Sequence, residues 1–570
     1  MGSRHETITY HKDVIACFTI LMLSVIIYSH GIHSELSYDD RLIYRNPDVS
    51  GRNRDFLSIF FHDFWGLSLW HQNSHKSHRP LTIWVLRATY TMFNGSKSGM
   101  HAANIVAHGL VSILVYVCTR LLDPNPRHLL RAFFAAALFV SHPVHVDAVQ
   151  QIAGTAELLC AIFVLAAFSA SLVKYFQIIS GPLCVLAMLC KEQGIMAVPL
   201  IITFSIYRNR FNIFKVVRTQ ISTLSCGILL VISKIVLLNG KPPEYGRLQN
   251  PASHSNSTFV KVLSHHQSAA QHFGLLIFPY SLCFDYTYGS VPLVTSLSDL
   301  RNFSVVLMYA TLFYLAYRLL MFKHLPFEAA SVLLILIPFI PSSNILFPVG
   351  FILAERVLYT PSVGFCIGLS YVMFRWFHGK RRGIALLITI VALYVLRSVE
   401  HVLDFRTEES LYIAGIRAHP NSPNMRCGLG LVYFRDRYEN SEKEANRRRV
   451  AEMNFKESIR LLPDHAESLT NLAILHTERG EYHEAESFIR RALKSEPHIL
   501  HRLENLAVVL IYQERYCEAW DLLENADGTF AAPYQMDESG AVIDKNSEEF
   551  ENDDVKLKLK RLLLEMGLVC

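Results

Sequence analysis

The chain lacks any paired spacing among its eleven cysteines, so neither a CxxC zinc pattern nor a disulfide framework can be read from it. Cys17, Cys118, Cys160, Cys184, Cys190, Cys226 and Cys366 stand in apolar runs, where a thiol behaves as a small hydrophobe. Charge is scarce too. Asp, Glu, Lys and Arg make up 18% of the residues, the net charge is +5, and the basic residues are scattered between apolar runs. That pattern does not suggest a nucleic-acid partner. No small-residue cleavage site follows the first apolar run, so Val14 to Ile32 is expected to stay as a signal-anchor helix. A prenylated Cys570 is not expected, because that motif needs three residues after the cysteine.

Hydrophobicity is what the chain has in quantity. With 51% hydrophobic residues and a mean hydropathy of +0.24 it falls among membrane proteins. Eleven apolar segments are candidates to cross a bilayer: Val14–Ile32, His101–Leu122, Ala132–Ser141, Leu158–Val173, Ile178–Cys190, Ile195–Tyr207, Gln220–Leu238, Phe303–Phe322, Phe327–Leu346, Val357–Phe374 and Ile384–Leu396. Arg and Lys concentrate in every second connection: Arg120–Arg131, around Lys174, Arg208–Arg218, Arg318–His324 and Arg375–Arg382. The positive-inside rule makes those cytosolic. The triplets Asn94-Gly-Ser, Asn256-Ser-Thr and Asn302-Phe-Ser all fall in the other set. With the N-terminus cytosolic, about eleven crossings put the connection 33–99 and the C-terminal part on the same non-cytosolic side.

The first apolar run is followed at once by Ser37-Tyr38-Asp39-Asp40-Arg41. An acidic pair at the end of a membrane helix is costly, which marks it as a candidate site. Such carboxylates can take a proton from an acceptor hydroxyl, hold a metal or approach a lipid-linked phosphate through a cation; capping a helix or pairing with Arg41 and Arg45 is the structural alternative. Phe56–Phe61 and Phe64–Trp70 are aromatic-rich and suit short interfacial helices. The polar run Asn73 to Thr82 carries Lys76 and Arg79, and a basic cluster beside an aromatic interface suits a lipid phosphate.

Further on, His142, His145, Asp147 and Glu157 are candidates to line a cavity or bond between helices. Their HxxH spacing is not the i, i+4 pair that binds zinc on a helix, so a metal site is not favoured. Lys191 and Glu192 pose the same choice between mutual pairing and substrate contact. Ala269–Tyr280 reads as a short interfacial or re-entrant piece. Arg356, at the mouth of a helix, needs an anion; Glu355 beside it or a phosphate would serve.

After about Asp404 the composition turns charged and amphipathic, and a period appears. Leu469, Leu472, Ala473, Ala485, Ile489 and Ala492 recur 34 residues later as Leu503, Leu506, Ala507, Ala519, Leu523 and Ala526, the tetratricopeptide spacing. An earlier copy at Leu429, Gly430, Tyr433, Ala451, Phe455 and Pro463 is split by about nine extra residues within Asn440–Arg449, and Tyr412 to Pro420 looks like half of another. The expected division is a membrane domain 1–403, about three repeats and a partial one in 404–530, and an acidic tail with a terminal helix at Val555–Leu568 in 531–570.

Taken together, Tyr38-Asp39-Asp40 with Asn46-Pro47-Asp48, Ser74 to Thr82, His142-Pro143-Val144-His145, Lys191-Glu192-Gln193-Gly194 and Phe347 to Phe351 leading into Ala354 to Tyr359 resemble the transmembrane and tetratricopeptide-repeat (TMTC) protein O-mannosyltransferases. The resemblance implies an all-α, GT-C type membrane glycosyltransferase of the endoplasmic reticulum with a lumenal tetratricopeptide solenoid. It implies transfer of mannose from dolichyl-phosphate mannose to Ser or Thr of lumenal proteins, cadherin-like ones among them. Asp39 or Asp40 would then be the general base of an inverting transfer. Arg356 with Lys76 or Arg79 would hold the departing phosphate, and His142, His145, Glu157, Lys191, Glu192 and Glu355 would line the cavity. No cofactor and no metal are expected; the partners expected are the lipid-linked donor, membrane lipid and acceptor proteins bound by the repeats. A short repeat array, the insert and the tail depart from the family pattern. The rival readings are a membrane-anchored adaptor without activity and a transporter; the latter calls for internal symmetry, which the sequence does not show.

Overall fold

The computed structural model describes residues 2–524 except 54, 72–73, 124–128, 239–244, 323–325, 379, 436–440 and 498. The acidic tail and terminal helix expected within 531–570 lie outside the described residues. Among the described residues there is no β-strand, only isolated bridges at His62–Ser68 and Tyr286–Leu353. The chain divides into two compact units, one built from Met1–Leu69, His75–Thr287 and Val291–Leu411, the other from Trp70–Ser74, Tyr288–Ser290 and Tyr412–Cys570.

The first unit opens with α1 (Gly2–Tyr28), then the short α2 (Asp39–Arg45) and α3 (Pro47–Ser50), then α4 (Pro80–Met92), α5 (Lys97–Leu122), α6 (Leu129–Ser141), α7 (Val146–Gln150) and α8 (Thr155–Leu172). It continues through α9 (Gln177–Cys190), α10 (Ala197–Arg208), α11 (Ile213–Thr219), α12 (Ile221–Leu238), α13 (Thr258–Ile277), α14 (Asn302–Met321), α15 (Pro326–Phe339), α16 (Pro361–Trp376) and α17 (Arg381–Asp404). Each of the eleven apolar segments holds one of these helices. By length and composition five can cross a bilayer: His11–Gly31, Lys97–Leu122, Ile152–Leu172, Asn302–Met321 and Arg381–Asp404; two bent pairs, Leu129–Gln150 and Ile213–Val236, raise the number to seven. The chain is a multi-pass membrane protein. The expected count of eleven is not reached by this test, because α9, α10, α15 and α16 run 14, 12, 14 and 16 residues, short of the ~20 needed to span hydrocarbon at 1.5 Å per residue.

Two expectations for the connections change. Of Ala269–Tyr280, the part up to Ile277 is the end of a 20-residue helix, α13, capped by the Ser257 hydroxyl. Its polar upstream residues Ser264, Gln267 and Ser268 face inward and are buried, so polarity there marks a bonded face and not a loop. Phe64–Trp70 forms no helix. The Asp63 carboxylate accepts from the backbone N–H of Trp65 and Leu67 at 3.0 Å each and of His75 at 3.1 Å, winding the segment into turns instead. Of the aromatic stretch only Leu57–Phe60 is helical, as one 3-10 turn. Phe56, Leu57, Phe60, Phe61 and Trp70 remain exposed.

The core that positions the site is formed where the irregular segments meet helix ends: Ile43, Val49, Phe64, Ile83, Met100 and Ile152 in one cluster, Val144, Leu276, Phe339, Val357 and Leu358 in another. Gly154 makes one of these turns possible, since a Cβ there would lie 2.0 Å from the carbonyl oxygen of Ala148.

In the second unit α18 (Glu408–Ala418) leads into three antiparallel pairs: α19 (Pro423–Arg435) with α20 (Ser441–Leu461), α21 (Ala466–Glu478) with α22 (Tyr482–Ser495), and α23 (Leu500–Tyr512) with α24 (Tyr516–Glu524). These are tetratricopeptide repeats. Ala473, Ala485, Ala507 and Ala519 are completely buried among Ile489, Leu506, Leu510 and Leu523, small residues where helix axes come close. The insert near Asn440–Arg449 lengthens a helix: α20 has 21 residues where α22 has 14.

Candidate active site

Tyr38 carries φ of +51°, a left-handed conformation that a bulky side chain adopts only under constraint. It turns the chain sharply into α2, whose first two residues are the acidic pair, and the pair then parts company. Asp40 is buried at 1% exposure and its Oδ1 accepts the backbone N–H of Ala153 at 2.9 Å, tying α2 to the turn before α8. Burial pushes its carboxyl up to about 7, against the backbone bonds from Ala153 and Ile152, with Asp39 and Asp147 adding repulsion. Asp39 points the other way, its Oδ2 3.1 Å from Nη1 of Arg356.

Arg356 opens a 3-10 turn, Arg356–Leu358, that feeds α16. Its Nε is 4.0 Å from Oε1 of Glu157 at the start of α8, and about a third of the side chain, 34%, stays exposed. Burial disfavours its charge, but Asp39, Asp147 and Glu157 outweigh that and hold the guanidinium above its ordinary pKa. Asp147, in α7, takes the amide of Gln151 at 2.6 Å and the backbone N–H of Arg356. Glu157 also receives the Lys191 ammonium, and the fields of Lys191, Arg356 and Arg79 all bear on it.

Acidic Asp39, Asp147 and Glu157 thus meet basic Arg356 and Lys191 where the turns before α8 and α16 converge. Two of the pairings differ from their neighbours in sequence. Lys191 does not neutralise the adjacent Glu192, as a Lys-Glu step allows; it reaches Glu157, 34 residues away, while Glu192 Oε2 takes Arg79 Nε at 3.1 Å. Glu355 does not pair with Arg356 either. Consecutive residues of a 3-10 turn diverge, and Glu355 Oε1 instead accepts the backbone N–H of Cys283 at 2.5 Å and the Tyr286 hydroxyl at 2.6 Å.

The remaining candidates are placed as follows. Arg79 lies over the Phe64 ring, 4.7 Å from its centre. Lys76, itself at φ of +55°, gives its ammonium to the Leu69 carbonyl within its own loop, away from a shared basic cluster with Arg79. His142 and His145 are both fully buried, His142 Nε2 bonded to the Leu276 carbonyl at 3.0 Å and His145 Nε2 to the Ser362 hydroxyl at 2.7 Å, with rings packed on Phe139, Tyr359 and Tyr394. Apolar runs on either side of His-Pro-x-His draw these rings inward. Among the described residues no group of three or more His, Cys, Asp or Glu is arranged to hold a metal ion.

Chemically, a carboxylate 17% exposed against a guanidinium 34% exposed, backed by a second cation, can take a proton while the cations bind an anionic leaving group. Asp147, expected from the sequence to line a cavity or bond between helices, bonds the Gln151 amide and the backbone N–H of Arg356.

A family model described as "Protein O-mannosyl-transferase TMTC, DUF1736" matches residues 239–313, and one for the tetratricopeptide repeat matches 465–495. The chain is 34% identical to "Protein O-mannosyl-transferase F38B6.6" of Caenorhabditis elegans, over 72% of this chain and 59% of that one. It is 29% identical to "Protein O-mannosyl-transferase TMTC4" of Homo sapiens (69% and 61% covered) and 30% identical to human "Protein O-mannosyl-transferase TMTC1" (80% and 56%). The chain therefore spans about six-tenths of the length of the curated relatives it matches. Among solved structures, the Archaeoglobus fulgidus oligosaccharyltransferase aligns with a TM-score of 0.39 at 11% identity, over 68% of this chain and 53% of that one, too loose a likeness to carry weight.

Proposed function

We propose that this chain, which belongs to the transmembrane and tetratricopeptide-repeat (TMTC) family, is a GT-C type protein O-mannosyltransferase that moves mannose from dolichyl-phosphate mannose to Ser or Thr hydroxyls of lumenal proteins. The observation that carries the reading is the Asp39–Arg356 pair with Glu157 and Lys191 behind it. In the transfer, the bond from mannose C1 to the donor phosphate oxygen breaks and its electron pair leaves with dolichyl phosphate. The acceptor oxygen bonds C1 from the opposite face, inverting it, and the hydroxyl proton passes to a carboxylate. Asp39 is that base: it stays partly exposed, at 17%, whereas Asp40 is buried and committed to Ala153. Arg356 supplies two parallel donors for the phosphate, with Arg79 as the further cation. The charges are provided by side chains, so the scheme calls on no metal.

The polyprenyl tail would lie along the exposed aromatic residues Phe56, Phe60, Phe61 and Trp84. The repeats would hold the acceptor protein. The reading places the chain in the endoplasmic-reticulum membrane with repeats in the lumen. The alternation of basic connections supports this. The test is O-mannose on lumenal proteins of cells with the chain, without it, and with Asp39→Asn in its place. Equal O-mannose in all three would leave the membrane-anchored adaptor as the reading.

A further inference from the structure

Behind the Arg356 turn lies a set of buried groups that the transfer itself does not use. Glu355 is 1% exposed and His401, near the end of α17, 2%. Oε1 of Glu355 is satisfied by Cys283 and Tyr286. Its Oε2 and Nε2 of His401 are each buried without a hydrogen-bond partner, and they face one another 3.8 Å apart. The other ring nitrogen of His401, Nδ1, is 2.9 Å from the Asp404 carboxylate.

Proton bookkeeping decides what that contact is. The Asp404 carboxylate only accepts, so Nδ1 carries a hydrogen. With no second proton in the set, Nε2 presents a lone pair to the lone pairs of Oε2, and two buried acceptors are left unpaired. One proton, on either Nε2 or Oε2, turns the contact into an attraction. We infer that Glu355 and His401 are positioning residues that share one buried proton and through it hold the turn carrying Arg356 against the loop Ser281–Tyr286 and α17. The isolated bridge between Tyr286 and Leu353 lies in the same seam.

The groups facing the pair are Cys283 and Tyr286 from the loop, Asp147 from α7, and Arg397, Glu400 and Asp404 from α17. Burial, reinforced by Asp147, holds the Glu355 carboxyl well above its usual range, which favours retention of the proton. Loss of that proton at alkaline pH should loosen the turn and misplace Arg356, although neither residue reaches the reacting atoms.

The inference rests on the mannosyltransferase reading for its kinetic arm, and a second arm is independent of it. Transfer is measured against pH with the full chain as wild type, His401→Gln and His401→Phe. A glutamine amide can donate to Oε2 at every pH, so His401→Gln should keep activity and lose the alkaline fall. His401→Phe keeps the ring but has no donor, and its donor KM should rise about tenfold at all pH values, the scale of one buried polar group left unpaired. In parallel, hydrogen exchange of residues 351–358 is compared between wild type and His401→Gln at each pH; the wild type alone should lose protection as pH rises. Unchanged alkaline limbs and exchange in the glutamine variant, or a wild-type KM in the phenylalanine one, would overturn the inference. Absence of mannose transfer with the exchange difference intact would sink the enzymatic reading and leave the shared proton standing.

Discussion

Nη1 of Arg356 lies 3.1 Å from Oδ2 of Asp39 across 317 positions of sequence. The two groups that would handle leaving group and nucleophile satisfy each other while substrate is absent. On the proposed reading, a donor phosphate would compete with Asp39 for the guanidinium, and the carboxylate it displaces would then be available to an acceptor hydroxyl. Both halves of that exchange can be tested separately.

The phosphate half predicts that Arg356→Ala raises the donor KM and cuts turnover while the protein remains inserted. Arg356→Lys should rescue little, because an ammonium does not reproduce the bidentate contact of a guanidinium with phosphate. A titration of donor against transfer rate for the two variants checks this. Wild-type kinetics in both would reassign Arg356 to holding Asp39 and Glu157 in place.

The base half predicts a split between neighbours. Asp39→Asn should lower turnover by about 10²–10⁴-fold, the usual contribution of a general base, with membrane insertion unchanged. Asp40→Asn should keep substantial activity, because its Oδ1 can still accept from Ala153. Loss of transfer in Asp40→Asn alone would exchange the roles assigned to the pair.

Much of the architecture was legible because it follows from periodicity. Eleven apolar segments foreshadow helices, and the 34-residue recurrence of Ala473 as Ala507 places two residues that must both be small. Pairings made over long separations were not legible. Lys191 offers Glu192 as its obvious partner, and only the packing of α9 on α8 brings Glu157 closer. Within Asp39-Asp40 the sequence cannot say which carboxylate turns outward; the φ of Tyr38 and the open N–H of Ala153 decide it. His401 stands five residues beyond the last apolar segment, Ile384–Leu396, with nothing nearby to announce Glu355.

Orientation follows from the alternating basic connections. A reporter fused after Leu523 should resist protease in intact microsomes, and one inserted at Lys380 should be digested. Digestion of the first would place the repeats in the cytosol, away from lumenal acceptors.

Asp40 makes a prediction about stability whose sign is fixed by its environment. Burial raises its carboxyl in the folded chain to about 7 from the ordinary 3.8. Below pH 4 the group is protonated whether the chain is folded or not, so the stability associated with the folded state's proton is fully present. Between about 4 and 7 the unfolded chain has released its proton while the folded chain retains it, and stability is lost steadily as pH rises. Above 7 the folded protein carries a buried carboxylate, with a penalty of about 4 kcal/mol relative to acid conditions for a shift of this size. Asp40→Asn removes that titration and keeps an acceptor for Ala153. Thermal unfolding of the detergent-solubilised protein should therefore give matching midpoints for wild type and variant near pH 4, and a higher midpoint for the variant near pH 8. Titrating groups that do not interact with Asp40 are common to both chains and cancel in the difference; Asp39 and Asp147, which repel it, do not. Midpoints that stay parallel across this range would mean that Asp40 is ionised throughout, and the environment assigned to it would be wrong.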